Sequence, residues 1–296
     1  MRAWLLLACL SGCGRLGFDT RELASGADAE TRIECWDRWR TGTLVVAEPR
    51  KLDELGTGKH TNPSIAADGL TLYFENVDAN DDVFSSTRTE HDAAWSAPAR
   101  VAALATTARE GRFSTSGDGR FGVLTSGRGG DMDLWTTERT STTAPFGAPT
   151  QALVMSLRTT KNELDPELSP DGLRIYYAPL DGMQRIRMAR REPGGVFAVA
   201  AELAELQISS AVADPTLSPD ETVIAFSSGA TAGENDLYYA VRTNRDATFG
   251  EPRAIPAINR APNINDGDID LSADGCEIYF VSDRAGTPSI YVALVQ

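Results

Sequence analysis

The chain has 296 residues and carries 42 Asp and Glu against 28 Lys and Arg, a formal net charge of −14 at neutral pH with a pI near 4.6. That balance lacks the clustered Lys and Arg that a phosphate backbone or an anionic lipid surface requires, so no nucleic-acid partner is expected. The sequence holds neither HExxH, CxxC nor GxSxG, and His60 and His91 stand in polar stretches that read as surface, which disfavours zinc and serine hydrolase chemistry.

The chain opens MRAWLLLACLSGC. The apolar run at 3–10 is too short to span a bilayer, which takes about 20 residues. Leu10-Ser11-Gly12-Cys13 resembles the lipobox of a bacterial lipoprotein signal, which implies a signal peptide over 1–12 and a lipid on Cys13 as the only membrane contact. Gly14 replaces the Asp that marks inner-membrane retention, so an outer-membrane site facing the periplasm or the surface is expected. Residues 13–40 mix Gly, Ala, Asp, Glu and Arg without periodicity and read as a tether. The folded domain is expected over 41–296, without a second domain.

One phrase recurs five times: NPSIAADGLTLYF from Asn62, RFSTSGDGRFGVL from Arg112, DPELSPDGLRIYY from Asp165, DPTLSPDETVIAF from Asp214 and DIDLSADGCEIYF from Asp268. The shared Asp68, Asp118, Asp171, Asp220 and Asp274 stand 50, 53, 49 and 54 residues apart, close to the period of propeller blades. Asp-Gly between two apolar runs predicts a hairpin. The strand after each turn is apolar on both faces, as in Leu72, Tyr73 and Phe74 or Ile278, Tyr279 and Phe280, so it belongs to a sheet sandwiched between neighbours.

A third strand follows in each copy: DVFSSTR, DLWTTER, RIRMARR, DLYYAVR and SIYVALV. WSAP at Trp95, FGAP at Phe146 and FGEP at Phe249 then mark an outer strand, where a Pro costs no ladder bond, with Phe197 as the remnant in the third copy. Recurrence at matching positions makes Trp95, Trp135, Phe146 and Phe249 packing residues rather than a sugar-stacking belt. The fifth copy has no outer phrase after it. Residues 43–49 match the form of FGEP and are expected to supply that strand from the other end of the chain, closing the ring. The architecture expected is therefore all-β, a five-bladed β-propeller closed by an N-terminal strand, with six blades as the alternative. If the N-terminal segment returns to the last blade, Cys35 and Cys276 can bridge; two buried free thiols are the other reading.

Ser-Pro-Asp-Gly at 169–172 and its cognates at 218–220 and 272–275, each followed by an apolar strand and then Asp-Leu-Tyr or Asp-Leu-Trp, resemble the WD40-like propeller repeat of the TolB type over roughly residues 43–296. The resemblance implies a protein of the bacterial periplasm or outer membrane that interacts rather than catalyses. It departs from the usual six blades, and the third and fourth copies have lost Asp-Leu-Tyr and the turn Gly.

Each innermost strand of a propeller lines the axis, so Asn62/Ser64, Arg112/Ser114, Asp165/Glu167, Asp214/Thr216 and Asp268/Asp270 are expected to face one channel. Five carboxylates beside one Arg must raise their pKa values, hold water or recruit a cation; Ca²⁺, an oxygen-seeking ion, would satisfy them. Asp78-Ala79-Asn80-Asp81-Asp82 opens like a calcium loop but lacks the Gly and Glu that complete one, and reads as a solvated acidic turn. Overall the sequence points to a lipid-anchored, monomeric, non-catalytic module that binds or scaffolds an envelope protein or glycan, using Asn62, Arg112, Asp165, Glu167, Asp214, Asp268 and Asp270. The alternative is a glycoside hydrolase-like enzyme with Asp165, Asp214 and Asp268 paired to Glu110 or Glu163.

Overall fold

The computed structural model describes residues 34–209, 211–229, 235–259 and 264–296. The expected signal peptide, Cys13 and the tether up to residue 33 lie outside them. Among the described residues no helix is long and apolar enough to cross a membrane.

Five antiparallel sheets follow one another as the repeats predict. After β1 (Arg50–Lys51), blade one comprises β2 (His60–Ile65), β3 (Thr71–Asn76), β4 (Asp82–Thr87) and β5 (Ala99–Arg100). Blade two comprises β6 (Glu110–Thr115), β7 (Phe121–Ser126) and β8 (Asp133–Glu138), completed by a bridge from Thr136 to Thr150. Blade three holds β9 (Glu163–Leu168), β10 (Arg174–Pro179), β11 (Arg187–Arg191) and β12 (Phe197–Glu202). Blade four holds β13 (Ala211–Leu217), β14 (Val223–Gly229), β15 (Asn235–Val241) and β16 (Arg253–Ala254); blade five holds β17 (Asp266–Leu271), β18 (Glu277–Ser282) and β19 (Ser289–Leu294). Apolar side chains gather at five seams, one between each pair of neighbouring blades. One of these joins Leu52, Ile65, Leu72 and Phe74 to Tyr279 and Ile290, so the last blade packs on the first.

The chemistry of the repeated phrase is visible at its turn. Ser169 donates its hydroxyl to Asp171 Oδ1 at 2.6 Å and accepts the Arg174 amide at 2.9 Å, while Asp171 Oδ1 also accepts the Leu173 amide at 3.0 Å. The same set recurs around Asp118, Asp220 and Asp274. The residue after the Asp is left-handed, which explains Gly there. In the fourth copy Glu221 takes that place at φ 57°. Its buried carboxylate pairs with Arg174 at 3.0 Å and accepts the Tyr176 hydroxyl at 2.6 Å, contacts that offset the strained backbone.

Third strands end on an Arg whose guanidinium lies over the aromatic of the outer phrase: Arg88 over Trp95 at 4.6 Å, Arg139 over Phe146 at 4.3 Å and Arg242 over Phe249 at 4.2 Å. Trp95, Phe146 and Phe249 are buried at the seams, and Trp135 packs beside them. The regular outer pairing falls just after each Pro, at β5 and β16, rather than across the aromatic phrase.

The N-terminal segment closes the ring as expected, with its register displaced. Val46 bridges Val295, the Ala47 amide donates to Leu294 at 2.8 Å, and β1 pairs with β19 through Arg50–Val292 and Lys51–Tyr291. The expected tether ends sooner than residue 40. A short helix, α1 (Trp36–Thr41), buries Trp36 and Trp39 against blade five, where Trp36 Nε1 donates to Ala273 and Trp39 Nε1 to Gly275, both at 2.9 Å. Cys35 and Cys276 are joined in a disulfide beside it. Blade five has no terminal Arg, and α1 caps its turn carbonyl as Arg88 and Arg139 cap those of Gly69 and Gly119.

Two polar readings are corrected. His60 is buried at the start of β2, with its ring 5.1 Å from that of Phe74. Asp82 is buried and paired with Arg100 at 2.5 Å rather than solvated.

Candidate functional site: the ring axis and its turn-face mouth

The five innermost strands β2, β6, β9, β13 and β17 each carry a register shift against their neighbour. At it, Asn62, Asp165, Asp214 and Asp268 adopt φ of 51°, 54°, 53° and 49°. Asn and Asp tolerate this left-handed region better than other residues with a Cβ, so the recurrence of Asx there follows from the backbone. The irregularity turns consecutive polar groups toward the axis.

All seven expected site residues meet there, in two layers. The outer layer holds Asn62, Asp165, Asp214 and Asp268, of which three are joined by hydrogen bonds and Asp165 is an electrostatic neighbour. The Asn62 amide donates to Asp268 Oδ2 and the Asp268 amide to Asp214 Oδ2, each at 3.1 Å, and Ser227 donates its hydroxyl to Asp214. Asn62 Nδ2 donates to Glu75 Oε2 at 2.6 Å, a carboxylate outside the predicted set. The inner layer is organised by Arg112, whose side chain is 0% exposed. Its Nη2 lies 3.3 Å from Glu167 and 3.5 Å from Asp270, and the guanidinium donates to the carbonyls of Ile269 at 3.2 Å and Pro215 at 3.1 Å. Asp270 also accepts the Ile65 amide and the Thr216 hydroxyl, both at 2.6 Å. The axis is therefore crossed by a linked cluster of ionisable side chains.

One cation cannot neutralise five confined carboxylates, and the group responds by holding protons. Burial, then the charge of Asp270, pushes Glu167 up to about 8. Burial, then Asp214, pushes Asp268 up to about 7, and burial pushes Glu75 to about 7. Asp165 is raised well above the carboxylate range by burial and by Asp214 and Asp268. Among the described residues no group of three or more His, Cys, Asp or Glu side chains converges to hold a metal ion. Arg112 is the cation that the described structure places among these carboxylates.

Glu110 and Glu163 stand away from this cluster. Glu110 accepts the Thr106 amide at 3.1 Å and hydroxyl at 2.6 Å and pairs with Arg128, while Glu163 accepts the Thr159 amide at 3.2 Å and hydroxyl at 2.5 Å. Both fasten the loops that enter the inner strands.

On the side of the hairpin turns the axis opens into a funnel of about 280 Å³. Its wall is one residue from each blade, Ile65, Thr115, Leu168, Leu217 and Leu271, and Glu167 lies at its floor. The rim comes from the turns themselves, including Ala67, Pro170 and Pro219. Gly117 meets Pro170 across it, its amide donating to the Pro170 carbonyl at 2.9 Å, and a Cβ there would lie 3.2 Å from that ring. Sequence reasoning missed the funnel because its wall residues also belong to the seams between blades, and an aliphatic residue before a turn reads as ordinary core.

No family model matches the chain, and no curated protein matches its sequence. Solved propellers resemble it in fold. A protein assigned as an exo-beta-1,3-galactanase from Bifidobacterium bifidum s17 is 14% identical with a TM-score of 0.50, over 86% of this chain and 96% of that one. A protein assigned as TolB from Agrobacterium tumefaciens is 18% identical with a TM-score of 0.48, over 76% and 70%. The gluconolactonase XC5397 from Xanthomonas campestris is 12% identical with a TM-score of 0.47, over 86% and 97%. Likeness at this level shows the propeller fold and leaves function to the site.

Proposed function

We propose that the chain is a non-catalytic binding module of a bacterial cell envelope, tethered at the outer membrane through a lipid on Cys13, and that it receives an apolar anchor of a protein partner in the turn-face funnel. The observation that carries this reading is the floor of the funnel. Glu167 and Asp270 face Arg112, Asp214 and Asp268 accept backbone amides and the Ser227 hydroxyl, and Glu110 and Glu163 fasten loops outside the cluster, whereas a glycosidase needs two carboxyl groups free to flank the scissile bond. A cavity of about 280 Å³ with a mostly aliphatic wall stands at the small end of ligand pockets, about 300–1,000 Å³. It suits one inserted side chain rather than an oligosaccharide, and a buried apolar anchor ringed by polar contacts is how protein partners concentrate binding energy.

The test is selection of peptides from a random library on the full chain, compared with a variant carrying Ala67→Glu at the exposed rim. Selected peptides should share an aromatic or aliphatic anchor and bind the variant at least about tenfold more weakly. Hydrolysis of a polysaccharide by the wild-type chain, abolished by Asp165→Asn, Asp214→Asn or Asp268→Asn, would overturn the proposal in favour of the enzyme reading.

A further inference from the structure

The funnel joins an aliphatic wall to an ionisable floor. Ile65, Leu168, Leu217 and Leu271 form its sides, and of the axial carboxylates it is Glu167 that lines it. The Glu167 side chain is 13% exposed, so solvent reaches it. Within the protein its carboxyl is only partly engaged. Arg112 Nη2 approaches Oε2 at 3.3 Å, longer than the roughly 2.7–2.9 Å of a strong charge-assisted bond. The same nitrogen, with two N–H bonds, also faces the Pro215 carbonyl at 3.1 Å and Asp270 Oδ1 at 3.5 Å. The Ser114 hydroxyl, which accepts the Leu168 amide at 3.0 Å, is the other donor to Glu167. A carboxylate offers about four lone-pair sites, so acceptor capacity remains at the floor.

An anchor that fills the funnel takes this carboxyl out of water. An aliphatic or phenyl side chain strands it, and a buried polar group that loses water without gaining a partner costs free energy. A Lys or Arg head would have to shed its own hydration in an aliphatic cup, close to the Arg112 guanidinium. Burial, which pushes Glu167 up to about 8, also keeps a proton on it at neutral pH and weakens its pull on a second cation. Ser and Thr lack the apolar body that the wall can cover. Trp carries its N–H on the flank of the ring system, whereas Tyr carries a neutral hydroxyl at the tip of an apolar ring.

We infer that the anchor received by the funnel is a tyrosine of the partner, its ring against the aliphatic wall and its hydroxyl donating to the Glu167 carboxyl. This rests on the reading of the funnel as the partner site and adds the chemistry of the anchor's tip. The wall gives affinity for any apolar side chain of suitable size, and the floor penalises those that bring no donor. Glu167 is therefore the residue that sets specificity, because a site with a buried polar group discriminates most strongly against the analogue that leaves it unpaired.

Peptides selected from a random library on the full chain, then synthesised with Tyr or Phe at the anchor position and titrated by fluorescence anisotropy, test it. Selection on wild type should return Tyr at that position, and exchanging it for Phe should weaken binding to wild type by about tenfold but to Glu167→Leu by less than about twofold. Glu167→Gln keeps a carbonyl acceptor at the floor and should keep the preference for Tyr. Glu167→Leu leaves Arg112 its neighbour Asp270, and the comparison of the two peptides on wild type needs no variant. Selection of Phe or Leu anchors whose binding is lost in Ala67→Glu would overturn the tyrosine inference and leave the funnel reading in place. Binding indifferent to Ala67→Glu would overturn both. An equal penalty for Phe on wild type and on Glu167→Leu would put the hydroxyl somewhere other than the floor and overturn the inference as well.

Discussion

Replacing Arg112 by glutamine is expected to lower the unfolding free energy by about 3–5 kcal/mol, because it leaves the buried carboxylates of the inner layer without their counter-charge. The loss should depend on pH with a definite sign. Glu167 near 8, and Asp268 and Glu75 near 7, hold protons in the folded chain that the unfolded chain releases near pH 4. A raised carboxylate contributes stability that is full below the unfolded value and is lost as pH rises through the folded one. Wild type should therefore unfold in more urea at about pH 5 than at about pH 9, and the deficit of Arg112→Gln should widen across the same window as protons leave the axis. Asp118, held near 2 by the Ser116 hydroxyl and the Arg120 amide, acts in the opposite sense but only at lower pH. Equal stability of variant and wild type at alkaline pH would show that Arg112 does not hold the axis together.

Ring closure is expected to show the second large effect. The Cys35–Cys276 bond spans 241 residues, and in the loop-entropy account a bridge of that length stabilises by about 5.5 kcal/mol. Replacing both cysteines by serine should lower the thermal midpoint sharply, and reduction of the wild type should do the same. Removing residues 34–52 as well takes away α1 and β1, exposes the edge of β19 and uncovers the Gly275 turn under Trp36 and Trp39. That truncation should fail to give a cooperative transition. An unchanged midpoint for the truncation would mean the ring closes without its N-terminal strand, and for the serine variant that the bond adds nothing to the closed ring.

Much of this was legible because the repeated phrase encodes backbone geometry. Ser-x-Asp-Gly, complete in three copies and varied by Ala66 and Glu221 in the other two, specifies a hydrogen-bonded turn with a left-handed residue, and the five copies of the phrase place the blades, the axis and the seven axial residues. The sequence placed Arg112 among the carboxylates but not the depth of its reach to Glu167 and the Ile269 and Pro215 carbonyls, which depends on how far the strands bend at their register shifts. Residues 34–40 read as tether because a six-residue helix has almost no periodicity. Trp36 and Trp39, three apart and followed by Gly42 in the left-handed region, were the available signal.

The central claim is that the turn-face funnel, and not the outer layer of axial carboxylates, meets the partner. Hydrogen exchange of the full chain with and without a library-selected peptide tests it most directly. The account predicts new protection at 65–67, 168–170 and 217–219, around the funnel wall and rim, and none in the loops that lead into Asn62, Asp165 and Asp268. Protection at those loops with an unchanged funnel would contradict it.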